Sequence, residues 1–326
     1  MVTLRSIPDI TLYIFACFNN ELMFDKSIQS PVQEIKLQEP LAGELKLAVL
    51  REDLLHPEVS GNKWRKLKYN FIEMTEKGYD RLVTFGGAYS NHIAATAACA
   101  RVHGFESVGI IRGEELNAEA NHTLRFAHTC GMQLIFVTRA AYRNKNQPQF
   151  LKDYLPDDQS YYLIPEGGTN EMAIRGTSEI LGSHTSGFDI VCVAAGTGGT
   201  AAGIINSLTA HQKALVFPAL KGSFMKENIA ALIDPEKQYG KDWELIDKYH
   251  FGGYAKWNVD LIDFINTFKE QHNIPLDYIY NGKMMYGLYE LLKIHYFRSK
   301  TSLLAIHTGG IQSTIGFNES NGFLIK

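Results

Sequence analysis

From about residue 45 onward the chain alternates short apolar or β-branched runs with longer amphipathic segments. The runs ELKLAVL, RLVTF, SVGIIRG, MQLIFVT, YYLIP, DIVCVAAG, ALVFPAL, WELID and SLLAIH predict strands. Between them, apolar residues at helical spacing predict helices over 64–77, from 90, near 119–130, near 171–182, from about 199, near 224–233, near 258–272 and near 283–297. This alternation indicates an α/β fold with mainly parallel sheets, and so many strands predict two α/β domains with a cleft between them.

Composition changes this picture little but narrows the partners. With 326 residues, 45% of them hydrophobic and 21% charged, the chain can bury a large core. A formal net charge of −3 and a pI near 6.4 argue against nucleic acid as a partner. Cys17, Cys99, Cys130 and Cys192 lie far apart with no CxxC pair, which predicts reduced thiols in a cytoplasmic protein and no metal site. The apolar run ITLYIFACF (10–18) is too short to span a bilayer, and Asp9 and Phe15 suit a cleaved leader poorly. Residues 1–30 are therefore expected to be an extension, with no membrane partner.

In open α/β sheets ligands gather beyond the carboxyl ends of the strands, and several strands here end unusually. GNKWRKLKYN (61–70) carries four basic residues in six positions. Apolar residues at 64, 67, 71 and 74 turn Arg65, Lys66 and Lys68 toward solvent, whereas Lys63 sits where a loop hands over to the helix. After RLVTF comes Gly86-Gly87-Ala88-Tyr89-Ser90-Asn91-His92, in which Ser90 can cap a helix whose free amides suit a carboxylate or phosphate. After DIVCVAA comes Gly196-Thr197-Gly198-Gly199-Thr200, a glycine and hydroxyl cradle for an anion at a helix start. It matches a loose dinucleotide fingerprint, but the stretch 216–226 lacks the acidic residue such a site needs for the ribose. SLLAIH leads into Thr308-Gly309-Gly310, where Thr308 can bond a ring nitrogen, and Tyr254 and Tyr280 are flanked by glycines. A loop lysine, a phosphate cradle, a carboxylate-binding helix start and a threonine for a ring nitrogen together describe a pyridoxal phosphate site.

The ordered set GNKWRKLKY, SNH, PEGGTN, GTGGT, YNGKMMYGL and HTGG resembles the pyridoxal-phosphate-dependent family of 1-aminocyclopropane-1-carboxylate deaminases and D-cysteine desulfhydrases, from about residue 31 to the C-terminus. The resemblance implies the fold type II architecture of the tryptophan synthase β-subunit: a large cofactor-binding domain from 31–65 and 166–326, and a smaller inserted α/β domain at 66–165. It implies Lys63 as the Schiff-base lysine and Gly196, Thr197, Gly198, Gly199 and Thr200 at the phosphate. Asn91 would meet the phenolic oxygen and Thr308 the ring nitrogen. Ser90, Asn91 and His92 would receive the carboxylate of a small amino-acid substrate, with Ser90, Tyr254 and Tyr280 joining Lys63 in catalysis. A homodimer is the family's habit.

Three positions depart from the family pattern. The deaminases place Glu directly after the Tyr280 position, where this chain has Asn281, and desulfhydrases commonly carry Arg-Gln where it has Ala94 and Ala95. Elimination of a β-substituent, as from D-cysteine, is therefore the first expectation and cyclopropane ring opening the second. A cofactor-binding protein without turnover is the alternative of another class.

Overall fold

A computed structural model describes residue 24 and residues 28–38, 44–156, 160–222, 224–236 and 242–326. The run at 10–18, Cys17 and most of the expected extension 1–30 lie outside the described residues. In chain order the elements are β1 (Val32–Ile35), β2 (Lys46–Leu50), α1 (Asn62–Glu76), β3 (Arg81–Gly87), α2 (Asn91–His103), β4 (Glu106–Arg112), α3 (His122–Thr129) and β5 (Gln133–Val137). They continue with α4 (Arg139–Tyr142), α5 (Pro148–Tyr154), β6 (Tyr162–Ile164), α6 (Glu171–Thr177), β7 (Ile190–Ala195), α7 (Gly199–Ser207) and β8 (Lys213–Pro218). The chain closes with α8 (Phe224–Ala230), β9 (Trp243–Leu245), α9 (Val259–His272), α10 (Asn281–Lys293), β10 (Ser302–Ile306) and α11 (Gln312–Asn321). Every strand and helix expected from the pattern forms.

The strands make two open sheets. The six-stranded sheet has the order β1-β2-β10-β7-β8-β9, with β1 antiparallel and the rest parallel; the four-stranded sheet, β5-β4-β3-β6, is wholly parallel. Alternate residues of each strand enter different cores. Leu47, Val49, Cys192, Leu215 and Leu303 pack on one face of the larger sheet; Leu50, Val191, Val193, Val216 and Leu304 pack on the other. The smaller sheet divides likewise, with Leu82, Ile111 and Ile164 on one face and Val83, Phe85 and Ile110 on the other. Strands buried on both faces read as continuous apolar runs, which is why they are visible in the sequence.

The expectation that Arg65, Lys66 and Lys68 face solvent is wrong. They are 5%, 2% and 1% exposed. Trp64, Leu67, Phe71 and Met74 do pack against the smaller sheet, but the opposite face of α1 is covered by α6 rather than by water. Gly176 of α6 allows this contact, since a Cβ there would lie 1.9 Å from the Arg65 carbonyl oxygen. Each cation has a partner: the Arg65 guanidinium bonds both oxygens of buried Glu52 at 2.9 Å, Lys68 is ion-paired with Glu179, and Lys66 Nζ donates to Gly167 O and Thr169 Oγ1 at 3.0 Å. Gly176→Ala should destabilise the fold by about 1–3 kcal/mol through overpacking, read as a lower urea midpoint at unchanged slope.

Candidate active site

The carboxyl ends of β3, β7 and β10 open onto one cleft. It is lined by Lys63, Ser90, Asn91, His92, Gly196, Thr197, Gly198, Thr200, Tyr254, Tyr280 and Thr308. Gly199 is not on the lining; it is the first residue of α7, beneath the loop. Residues separated by up to 245 positions in the chain thus meet at the end of two sheets.

Lys63 is placed by backbone contact. Asn62 N donates to Thr308 O at 3.1 Å, and Gly61, at φ +64°, has no room for a side chain because a Cβ would sit 2.1 Å from the same oxygen. The start of α1 is thereby fastened to the turn after β10, with Lys63 beside Thr308. Burial pushes the Lys63 amine down from 10.5 to about 8. A neutral amine is what attacks an aldehyde, so capture of pyridoxal phosphate by the apo protein should accelerate about tenfold per pH unit below pH 8 and level off above it. Stopped-flow absorbance across pH 6–9.5 reads this; a rise continuing unbroken beyond pH 9 would contradict the assignment.

The turn from β7 into α7 is built for an anion. Gly198 stands at the N-cap with φ +88°, and no side chain caps the helix, so its first amides remain available. Thr200 Oγ1 accepts from Asn62 Nδ2 at 2.8 Å, which leaves its own proton to donate. Thr197 Oγ1 lies 2.6 Å from Thr169 Oγ1, tying this loop to the PEGGTN segment. Lys66 also lines the cleft, and burial followed by repulsion from Lys63 holds its amine well below the usual lysine range.

At the start of α2, Ser90 Oγ accepts from Ile93 N at 3.3 Å, the ordinary N-cap bond. Asn91 Oδ1 is buried without a hydrogen-bond partner. The His92 ring is committed elsewhere. Thr84 Oγ1 donates to Ile164 O, so it accepts from His92 Nε2 at 2.7 Å, while Thr96 Oγ1 can donate to Nδ1. Burial, then Lys63 and Lys66, hold this imidazole neutral, and its backbone amide is what it can offer a ligand.

Thr308 is held by a residue the sequence reading weighed differently. Asn281 Nδ2 donates to Asp277 Oδ1 and Gly309 O, so its Oδ1 accepts from Thr308 N at 3.0 Å and Thr308 Oγ1 at 3.1 Å. Asp277 in turn accepts from the amides of Ile279, Tyr280 and Asn281 at the start of α10. The Tyr280 ring covers Gly196, where a Cβ would come within 3.0 Å of it, and meets Tyr254 edge to face at 6.2 Å. Burial, reinforced by Tyr254, raises the Tyr280 phenol well above the usual range. Buried Lys283 donates to His250 O and Gly253 O and so fixes the loop carrying Tyr254. Asn62 and Lys283 escape notice as single polar residues, and Lys66 reads as solvent-facing; only their distant partners reveal them.

A model of pyridoxal-phosphate dependent enzymes matches residues 28–309. This chain belongs to the pyridoxal-phosphate-dependent enzyme family. It is 28% identical over 299 residues to the mitochondrial bifunctional D-cysteine desulfhydrase/1-aminocyclopropane-1-carboxylate deaminase of Arabidopsis thaliana, covering 81% of this chain and 72% of that one. It is 27% identical over 313 residues to a 1-aminocyclopropane-1-carboxylate deaminase of Cyberlindnera saturnus, covering 86% and 91%. The fold matches a crystal structure of a 1-aminocyclopropane-1-carboxylate deaminase homologue with a TM-score of 0.76 and 24% identity, over 98% of this chain and all of that one. These neighbours share the fold type II architecture. The site fits the family's cofactor: a helix start with no side-chain cap, a depressed lysine amine in the same cleft, and an amide oxygen of Asn91 there without a partner. Among the described residues no helix is long and apolar enough to cross a membrane, and no group of His, Cys, Asp or Glu could hold a metal ion.

Proposed function

We propose that this enzyme is a lyase that eliminates the β-substituent of a small amino acid, with D-cysteine the first substrate, releasing a 2-keto acid and ammonia. The observation that carries the reading is the position of Lys63, in one cleft with two helix starts that can each hold an anion. Pyridoxal phosphate, when bound, supplies the electron sink for breaking a bond at the α-carbon. Lys63 would hold it covalently, and Gly196, Thr197, Gly198, Gly199 and Thr200 would take its phosphate, with the Lys66 amine in the same cleft. Asn91 would meet its phenolic oxygen, donating from Nδ2. Thr308 Oγ1, which lies 3.1 Å from Asn281 Oδ1, would turn its proton to the ring nitrogen.

The amides of Asn91 and His92, with Ser90, receive the substrate carboxylate at the start of α2. The Lys63 amine, titrating near 8, can take a proton from the α-carbon and return it near neutral pH. The protonated Tyr280 phenol, with Tyr254 beside it, can donate to the departing sulfur. Residues 31–65 and 166–326 form the cofactor domain and 66–165 the inserted one, a division supported by sheet membership. A cytoplasmic homodimer completes the proposal; buried, unpaired Cys99, Cys130 and Cys192 support a reducing compartment, and light scattering tests the dimer.

Cyclopropane ring opening is the second reading, supported by the relatives' names. The side chain of Asn281 is spent on Asp277, Gly309 and Thr308, so no general base is free at the position after Tyr280. Keto-acid release from D-cysteine should therefore exceed that from 1-aminocyclopropane-1-carboxylate at least about tenfold in kcat/KM, roughly 1.4 kcal/mol in transition-state stabilisation. A panel of D- and L-amino acids and the cyclopropane compound, scored for keto acid and ammonia, tests this; preference for the cyclopropane compound would exchange the two readings.

A further inference from the structure

A second chamber opens beyond Lys63. It shares Lys63, Asn91 and Gly310 with the first cleft. Apolar carbon from Pro57, Ala95, Phe126 and Ile315 forms much of its wall. Ala95 of α2 contributes a single methyl, and any longer side chain at that position would take up space in the chamber. Gln312, the first residue of α11, also lines it, and Gln312 Nε2 is buried without a hydrogen-bond partner. A buried donor left unpaired is costly, so a ligand that brings an acceptor gains by meeting it.

Charge narrows the ligand further. Asp53 and Glu58 border the chamber, but Asp53 is paired with Arg51 and Glu58 with Arg101. Among the described residues Lys63 and His122 are the basic side chains lining it, set against the two carboxylates, so the wall carries no cluster of cations for an anionic chain. The apolar wall and the free amide donor instead suit an uncharged chain that ends in a carbonyl.

We propose that this chamber is a side-chain subsite of the lysine cleft, which takes the β-substituent of amino acids longer than cysteine: uncharged, S-linked chains of a few heavy atoms carrying a carbonyl acceptor for Gln312. This rests on the lyase reading for its chemistry. The α-proton is removed, the Cβ–S bond breaks with its electron pair on sulfur, and sulfur is protonated. One water then hydrolyses the three-carbon remainder, so that amino acid and water give thiol, pyruvate and ammonia.

The test uses the holoenzyme with S-(carbamoylmethyl)cysteine and cysteine, each enantiomer separately. Their α-methyl analogues, which lack the proton to be removed, are titrated in parallel by the visible spectrum and by calorimetry. The carbamoylmethyl analogue should bind at least about tenfold more tightly than α-methylcysteine, and kcat/KM should show the same preference. Ile315→Trp, at an exposed rim position, and Gln312→Leu should each erase most of that preference. Equal binding of the two analogues, or a preference untouched by both substitutions, would overturn the subsite. Binding preference without turnover of any compound would leave the subsite standing and overturn the lyase reading instead.

Discussion

Lys63→Ala is expected to leave a folded protein that stays colourless with pyridoxal phosphate and whose turnover falls at least about a thousandfold, roughly 4 kcal/mol of transition-state stabilisation. The fold should survive because α1 is held by Asn62, Gly61 and its apolar face rather than by the lysine amine. The apo variant should in fact be more stable than the apo wild type. Burial lowers the Lys63 amine from 10.5 to about 8, so below pH 8 both folded and unfolded chains carry the proton and the folded one bears the desolvation cost. Between pH 8 and 10.5 the unfolded chain binds more protons, so wild-type stability rises with pH relative to the variant. The advantage of Lys63→Ala should be on the order of 3 kcal/mol at pH 7 and vanish near pH 10.5. Urea unfolding of both apo proteins at pH 7 and pH 10 measures it.

Glu52→Gln should destabilise the protein by about 3–5 kcal/mol, the effect of leaving a buried cation without its counter-charge. Glu52 is fully buried and accepts both bonds from Arg65, itself 5% exposed, on the helix that carries Lys63. Lys77→Ala removes the ion pair with Glu73 at the end of the same helix, but at 57% exposure it should leave the denaturant midpoint nearly unchanged. Equal losses from the two substitutions, compared by denaturant midpoints, would show that the Arg65 pair is solvated.

Much of the architecture was legible because the strands are buried on both faces and appear as unbroken apolar runs between amphipathic helices. Where pattern was weak, the elements went unseen. β1 reads VQEI with an exposed Glu34, and α11 has only Ile315 and Phe317 as large apolar residues. The lysine cleft was legible in outline because glycine, threonine and serine collect after β3, β7 and β10, where the backbone must stay open to a ligand. What could not be read was which polar side chains are already spoken for. The basic face of α1 looks solvated until Glu52, Glu179 and the Gly167 carbonyl are found beside it, from 13 to 111 residues away in the chain. Asn281 likewise looks like a helix cap, yet Asp277 caps α10 and Asn281 fixes the Thr308 hydroxyl from 27 residues away. The His92 tautomer depends on Thr84 and Thr96 together.

Two lysines, half-buried Lys63 and buried Lys66, line the cleft on adjacent turns of α1, and only one of them is proposed to hold the cofactor. Reduction of the yellow holoenzyme with borohydride, followed by peptide mapping, decides between them directly. The pyridoxyl label is expected on Lys63 alone, because Lys66 Nζ is engaged by Gly167 O and Thr169 Oγ1. Label on Lys66, or no stable label on either, would contradict the account.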